Sequence, residues 1–142
     1  MPTRAQLSEA AEHQGGHTTL MLASLEGNTK TVKRLLSSGA DVNERDEEGR
    51  TALMFAVTNM HGDTAKVLLD HGADLNAKAN DGSTALILAA SSAESEIVRN
   101  LLNKSADVTA KVNQTGKTAL MIAKEKGYIE VARLLEGAGA NQ

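Results

Sequence analysis

Hydrophobic and polar residues fall along this chain in recurring blocks. The apolar octet GRTALMFA, from Gly49 to Ala56, returns as GSTALILA from Gly82 and GKTALMIA from Gly116, with a weaker copy, GHTTLMLA, from Gly16. The four copies start 33, 33 and 34 residues apart. A second apolar run follows each octet: TVKRLLSSG from Thr31, TAKVLLDHG from Thr64, IVRNLLNKS from Ile97 and VARLLEGAG from Val131. Leu20 to Gly39, Leu53 to Gly72, Leu86 to Ser105 and Leu120 to Gly139 each span 19 residues, so two landmarks keep one period. A period in this range is the mark of a stacked repeat.

Each unit reads as two short helices. Thr51 stands where a helix N-cap belongs, and Leu53 and Ala56 follow at helical spacing. The second run is the second helix, closed by glycine in three of the four units. The stretch GADLNAKANDGS from Gly72 is too polar and too broken for a helix and carries turn chemistry instead. Helices this short do not persist alone in water, because isolated helices under ~12–15 residues are marginal. Stacking must hold them. Ala23, Ala56, Ala89 and Ala123 allow close approach of neighbouring helices, while the Leu pairs 35/36, 68/69, 101/102 and 134/135 fill the layers between.

These residues resemble the ankyrin repeat, with its G-x-T-P-L-H-x-A opening, turn glycine, Leu-Leu helix end and G-A-D-V-N connector. The likeness runs from Gly16 to Asn141, 126 of the 142 residues. It implies an all-α, ankyrin-type solenoid of stacked antiparallel helix pairs with projecting β-turn or hairpin loops, and a concave face that binds proteins. The expected organisation is one domain over residues 1–142: a capping helix in 1–15, repeats at 16–48, 49–81 and 82–115, and a fourth with the C-terminal cap at 116–142.

Departures from the pattern carry local expectations. Thr19, Ala52, Ala85 and Ala119 replace the favoured proline, and Met21, Met54, Ile87 and Met121 replace the usual histidine, so apolar packing takes over from its bond to threonine. Glycine is present in the inter-helix turn as Gly27 and Gly127, whereas the second and third units have Met60 and Ala93. In the second unit the first helix is expected to run on until Gly62 closes it, with Asp63 capping the next. The third connector, ADVTAKVNQTGK, has one extra residue and predicts a different loop tip near Val112 to Thr115. At the N-terminus Thr3 and Gln6 form a capping-box pattern, Leu7, Ala10 and Ala11 an apolar face, and Gly15 an end, which together predict the capping helix.

Composition narrows the function. The chain holds no cysteine, and Phe55 and Tyr128 are its only aromatics. A formal net charge of −3 gives no general attraction to nucleic acid or anionic membranes, and no stretch approaches the roughly 18 apolar residues of a membrane span. The expectation is a soluble, cytoplasmic monomer without cofactor, metal or catalytic residues. His13, His17, His61 and His71 lack any ligand spacing and read as exposed turn residues. The acidic run Glu44, Asp46, Glu47, Glu48 lacks the spacing of a calcium loop and reads as solvated. No phosphate-cradling glycine cluster and no nucleophile motif occurs.

The resemblance places partner contacts at connector tips and on the outer face of each first helix. By alignment these are His17, Leu25 and Glu26; Glu47, Glu48, Arg50, Thr58 and Asn59; Asn80, Asp81, Ser83, Ser91 and Ser92; and Gln114, Thr115, Lys117, Glu125 and Lys126. Residues 41–50 hold five acids and two bases, net −3, whereas 107–117 hold one acid and two bases, net +1. The partner expected is therefore another protein with a basic patch facing the acidic N-terminal loops. The alternative is a repeat scaffold, natural or engineered, without a specific partner; the unequal repeats favour a natural protein.

Overall fold

The structure, a computed structural model, describes residues 16–140. The capping helix expected in residues 1–15, and His13 with it, lies outside the described residues. Among these the secondary structure is eight α-helices and no strand. The chain divides into two compact units, residues 1–74 and 75–142. The first unit holds α1 (Thr19–Glu26), α2 (Thr29–Ser37), α3 (Ala52–Thr58) and α4 (Gly62–Asp70). The second holds α5 (Ala85–Ser91), α6 (Ser95–Asn103), α7 (Ala119–Lys126) and α8 (Ile129–Gly137). In the first unit α1 packs on α3 and α2 on α4; in the second α5 packs on α7 and α6 on α8. Each unit is thus two stacked antiparallel helix pairs.

Every first helix begins alike. Thr18, Thr51, Thr84 and Thr118 sit in extended backbone, and each hydroxyl accepts the amide three residues on, from Met21, Met54, Ile87 and Met121. Those four amides are among the ones a helix leaves without partners. The side chains that displaced histidine pack inward: Met21, Met54 and Ile87 are buried and Met121 is half-buried. In the first pair Met21 also supplies a sulfur acceptor, 3.4 Å from the Thr18 amide. Met21 and Met54 thus belong to the core.

Every helix also ends alike, in a left-handed residue flanked by two characteristic bonds. The amides of Asn28, His61, Glu94 and Tyr128 reach back five residues to the carbonyls of Ala23, Ala56, Ala89 and Ala123. Those of Ala40, Ala73, Ala106 and Ala140 reach Leu35, Leu68, Leu101 and Leu135. This is the Schellman closure. Its left-handed position is glycine at 27, 39, 72, 127 and 139, and a side-chain-bearing residue at Met60 (φ 62°), Ala93 (φ 58°) and Ser105 (φ 65°).

The second unit of the sequence therefore departs from expectation. Its first helix does not run on to Gly62: α3 ends at Thr58, Met60 takes the left-handed turn itself, and Gly62 is the first residue of α4. Asp63 lies in the first turn of α4 behind His61, which occupies the cap position without a side-chain bond. The turn keeps its register even where its residue is unfavourable, with the His61 amide bonding the Ala56 carbonyl as the Asn28 amide bonds Ala23. The Leu pairs are also refined. Leu35, Leu68, Leu101 and Leu135 are buried in every pair, joined by Leu69 in the second, and with the extra residue of the third connector Leu135 occupies the position of Leu101. Its neighbour Leu134 is half-buried.

The connectors contain turns where the resemblance allowed hairpins. In the first, the Asp46 amide donates to the Arg50 carbonyl and the Gly49 amide to the Asp46 carbonyl. In the second, Ala79 bonds Ser83, and Gly82 bonds Ala79, at the same spacing. In the third, Val112 bonds Lys117 and Gly116 bonds Val112, one residue wider, as its length predicts.

Candidate protein-binding interface

In the first unit the connector tip is built around Asp46. Its side chain is 0% exposed, which corrects its expected place on a solvated loop. Oδ1 accepts the amides of Glu48 at 3.0 Å and Arg50 at 2.8 Å; Oδ2 accepts Arg50 Nε at 2.9 Å. Burial alone would raise the Asp46 pKa, but the Arg50 amide, the Arg50 side chain and its charge, and the Glu48 amide outweigh it and hold the carboxyl below its ordinary value. The carboxylate therefore persists and fixes the turn.

Arg50, half-buried, lies with its guanidinium carbon 4.8 Å from the centre of the Phe55 ring. His17 meets the same ring edge-on at 5.5 Å and places Nε2 3.2 Å from Asp46 Oδ2. Both residues were expected to await a partner, and the structure engages them internally. Phe55, five residues beyond Arg50 and at the repeat position of Leu22 and Leu88, is buried and is the one ring in a column of aliphatics. Glu47 and Glu48 stay exposed, and Glu48 approaches Arg50 Nη1 at 3.7 Å.

Farther along the unit Leu25, Glu26, Thr58 and Asn59 are exposed as expected. The Leu25 carbonyl accepts Asn59 Nδ2 at 3.2 Å and lies 3.0 Å from His61 Nε2, the nitrogen that must carry the proton there. His61 is half-buried and packs over Gly27, where an added Cβ would stand 2.4 Å from its Nδ1. Met60, between them, is 63% exposed. Asn43, in the G-A-D-V-N segment, joins the unit's two connectors: its Oδ1 accepts the Asp74 amide at 2.7 Å and its Nδ2 donates to the Gly72 carbonyl at 3.3 Å.

The second unit ties its two connectors together with the neutral amides of Asn113. Asn80 and Asp81 are exposed, and their carbonyls accept the side chain and backbone amide of Asn113 at 3.0 and 2.8 Å. Gly82 lies beneath, with a positive φ and an added Cβ only 2.5 Å from the Lys111 carbonyl oxygen, so only glycine fits. Ser83 is 7% exposed and departs from the surface position expected of it, because its amide bonds Asp81 Oδ1 and its carbonyl closes the turn to Ala79. Ser91 and Ser92 are half-buried, and the Ser91 hydroxyl donates to the Ile87 carbonyl.

Gln114 and Thr115 are exposed, and Thr115 Oγ1 accepts the Lys117 amide. Lys117 pairs with Glu125 at 2.7 Å, and Lys126 Nζ donates to the Ser91 carbonyl at 3.1 Å, in the manner of Asn59 on Leu25. Asn76 accepts the Asp107 amide at 2.8 Å, as Asn43 does for Asp74. Asp107 also takes the side chain and amide of Thr109, which lower its pKa. At the start of α6, Glu94 has one carboxylate oxygen buried without a hydrogen-bond partner, and burial raises its pKa to about 7.

Among the described residues no three His, Asp or Glu side chains gather so as to hold a metal ion, and no helix is long and apolar enough to cross a membrane. A family model described as ankyrin repeats in three copies matches residues 4–79 and again residues 77–142. Comparison with curated proteins gives no match.

Proposed function

Because this chain belongs to the ankyrin repeat family, whose members generally bind other proteins, we propose that it is a non-catalytic binding module, an adaptor or inhibitor, that takes its partner on connector tips and first-helix faces. The observation that carries this reading is the first connector. Its turn is locked by a buried carboxylate, so Glu47 and Glu48 are displayed from a fixed backbone and little ordering remains to be done on binding. Exposed acids on a preformed turn favour a partner segment rich in Lys or Arg and speed its approach at low salt.

Glu26, Thr58 and Asn59 extend the candidate surface within the first unit. Asn80, Asp81, Gln114, Thr115, Lys117, Glu125 and Lys126 form that of the second. The test is co-purification of a partner from the native source, followed by titration of that partner against the chain and against E47K/E48K. We expect the double reversal to weaken binding about tenfold or more at low salt, equivalent to ~1.4 kcal/mol, and less at high salt. A partner whose affinity is indifferent to every tip substitution would remove this surface from consideration.

A further inference from the structure

The second helices repeat a column of cations, and the two units treat it differently. Lys33, Lys66, Arg99 and Arg133 share one repeat position, and Lys30, Asp63, Glu96 and Glu130 share another. In the second unit Arg99 of α6 meets Glu130 of α8 at 3.6 Å. The equivalent residues of the first unit are Lys33 of α2 and Asp63 of α4. They form no ion pair, and both line an open groove of about 610 Å³ between the two helices, together with Thr29, Lys66, Val67 and Asp70. The Thr29 and Thr64 hydroxyls, 2.8 Å apart, tie α2 to α4 beside it, and Val67 gives it a half-buried aliphatic wall. On α2 Lys33 is joined by Lys30 and Arg34 and by no acid, so the helix carries three positive charges. Lys30, Lys33, Arg34 and Lys66 are exposed, and none forms an ion pair with a described residue.

We infer that the α2–α4 groove is a second docking surface of the first unit and takes an acidic peptide segment of a partner protein. Carboxylates set on Lys33 and Lys66 supply from outside what Glu130 supplies to Arg99 from within. A single exposed pair adds little, so affinity comes from several cations engaged together and from an aliphatic side chain laid on Val67. Asp63 and Asp70 break the row of lysines. An unbroken polyphosphate meets them as like charges, whereas a peptide can space its acids to avoid them. No Phe, Tyr or Trp lines the groove to stack a nucleic-acid base. The inference does not rest on the connector tip. That tip holds net −3 over residues 41–50 and attracts bases, so the unit's two surfaces select segments of opposite charge.

The test is NMR titration of the full chain at low salt with three probes: a short peptide of Glu, Leu and Ser, the same peptide with Lys for Glu, and a single-stranded oligonucleotide of equal charge. The Glu peptide is expected to shift the amides around Lys33 and Lys66, and to lose affinity several-fold as salt is raised. K33E/K66E is expected to weaken it about tenfold or more, and the neutral K33Q/K66Q about threefold. Both side chains are exposed, so the urea midpoint is expected to stay where it is in either variant. E47K/E48K is expected to leave the Glu peptide on the same amides. A Glu peptide that leaves α2 unshifted, or whose affinity is unmoved by K33E/K66E, overturns the groove. An oligonucleotide that holds the same amides more tightly overturns the choice of partner. The Lys peptide reports on the connector tip, so its failure to shift Glu47 and Glu48 counts against that reading alone.

Discussion

The first connector, in the first unit, and the third, in the second, perform one task with opposite chemistry. One gathers two amides and a guanidinium onto a fully buried carboxylate, within a turn closed over five residues. The other uses a wider turn and hangs it by the side chain and amide of Asn113 from the carbonyls of Asn80 and Asp81. Helix pairs of the same design are therefore indifferent to how their loops are held. A charged hub makes a tip rigid but sensitive to protons and salt, whereas an amide tether is neutral and insensitive to both.

The sharpest way to separate the two is to remove each anchor. D46A leaves two amides and a guanidinium without their acceptor in a part-buried turn, and is expected to cost roughly 2 kcal/mol of stability. N113A removes an exposed tether and is expected to cost ~1 kcal/mol or less. Urea denaturation of the full chain measures both, and equal losses would erase the contrast.

The pH dependence of the units should run in opposite senses. Asp46 has a lowered pKa, so its contribution is present above the ordinary carboxylate value near 3.8 and is lost as pH falls through the native value. Glu94 is raised from 4.5 to about 7, so its contribution is complete below 4.5 and fades as pH rises through 7. Amide exchange between pH 5 and pH 8.5, corrected for intrinsic rates, is expected to show protection of α6 falling on the alkaline side in the wild type and flat in E94Q. Protection of the first connector should stay level over that range.

The smallest effects lie at the left-handed positions that lack glycine. M60G in the first unit, and A93G and S105G in the second, each relieve an unfavourable backbone at the cost of a more flexible unfolded chain. A gain of a few tenths to about 1 kcal/mol is expected from each, read as a raised urea midpoint. G27A should do the reverse, since its methyl would meet the His61 ring.

The periodic features of the fold were legible because they are local. The threonine caps, the alanines and the widened third connector each announce themselves within a dozen residues. The turn at Met60 did not, because the local preference of Gly62 for a helix end pulled against the repeat spacing that sets Met60 at the position of Gly27, and the spacing prevailed. The candidate surface divides along the same line. Glu47, Glu48, Asn59, Gln114 and Thr115 stand exposed, as expected from their place in the repeat. Ser83 is buried, and His17 and Arg50 are drawn together by a carboxylate between them in the chain and a ring on α3. His17 and Arg50 stand 33 positions apart, and their meeting has no signature in either segment.

The widened third connector admits an extra residue while the helices beside it keep their caps, closures and pairing. It marks a natural graft point. A foreign peptide inserted between Gln114 and Thr115, downstream of the Asn113 tether, should be displayed with the second unit's helices undisturbed. The chain thereby shows where a repeat of this type can be given new vocabulary without rewriting its grammar.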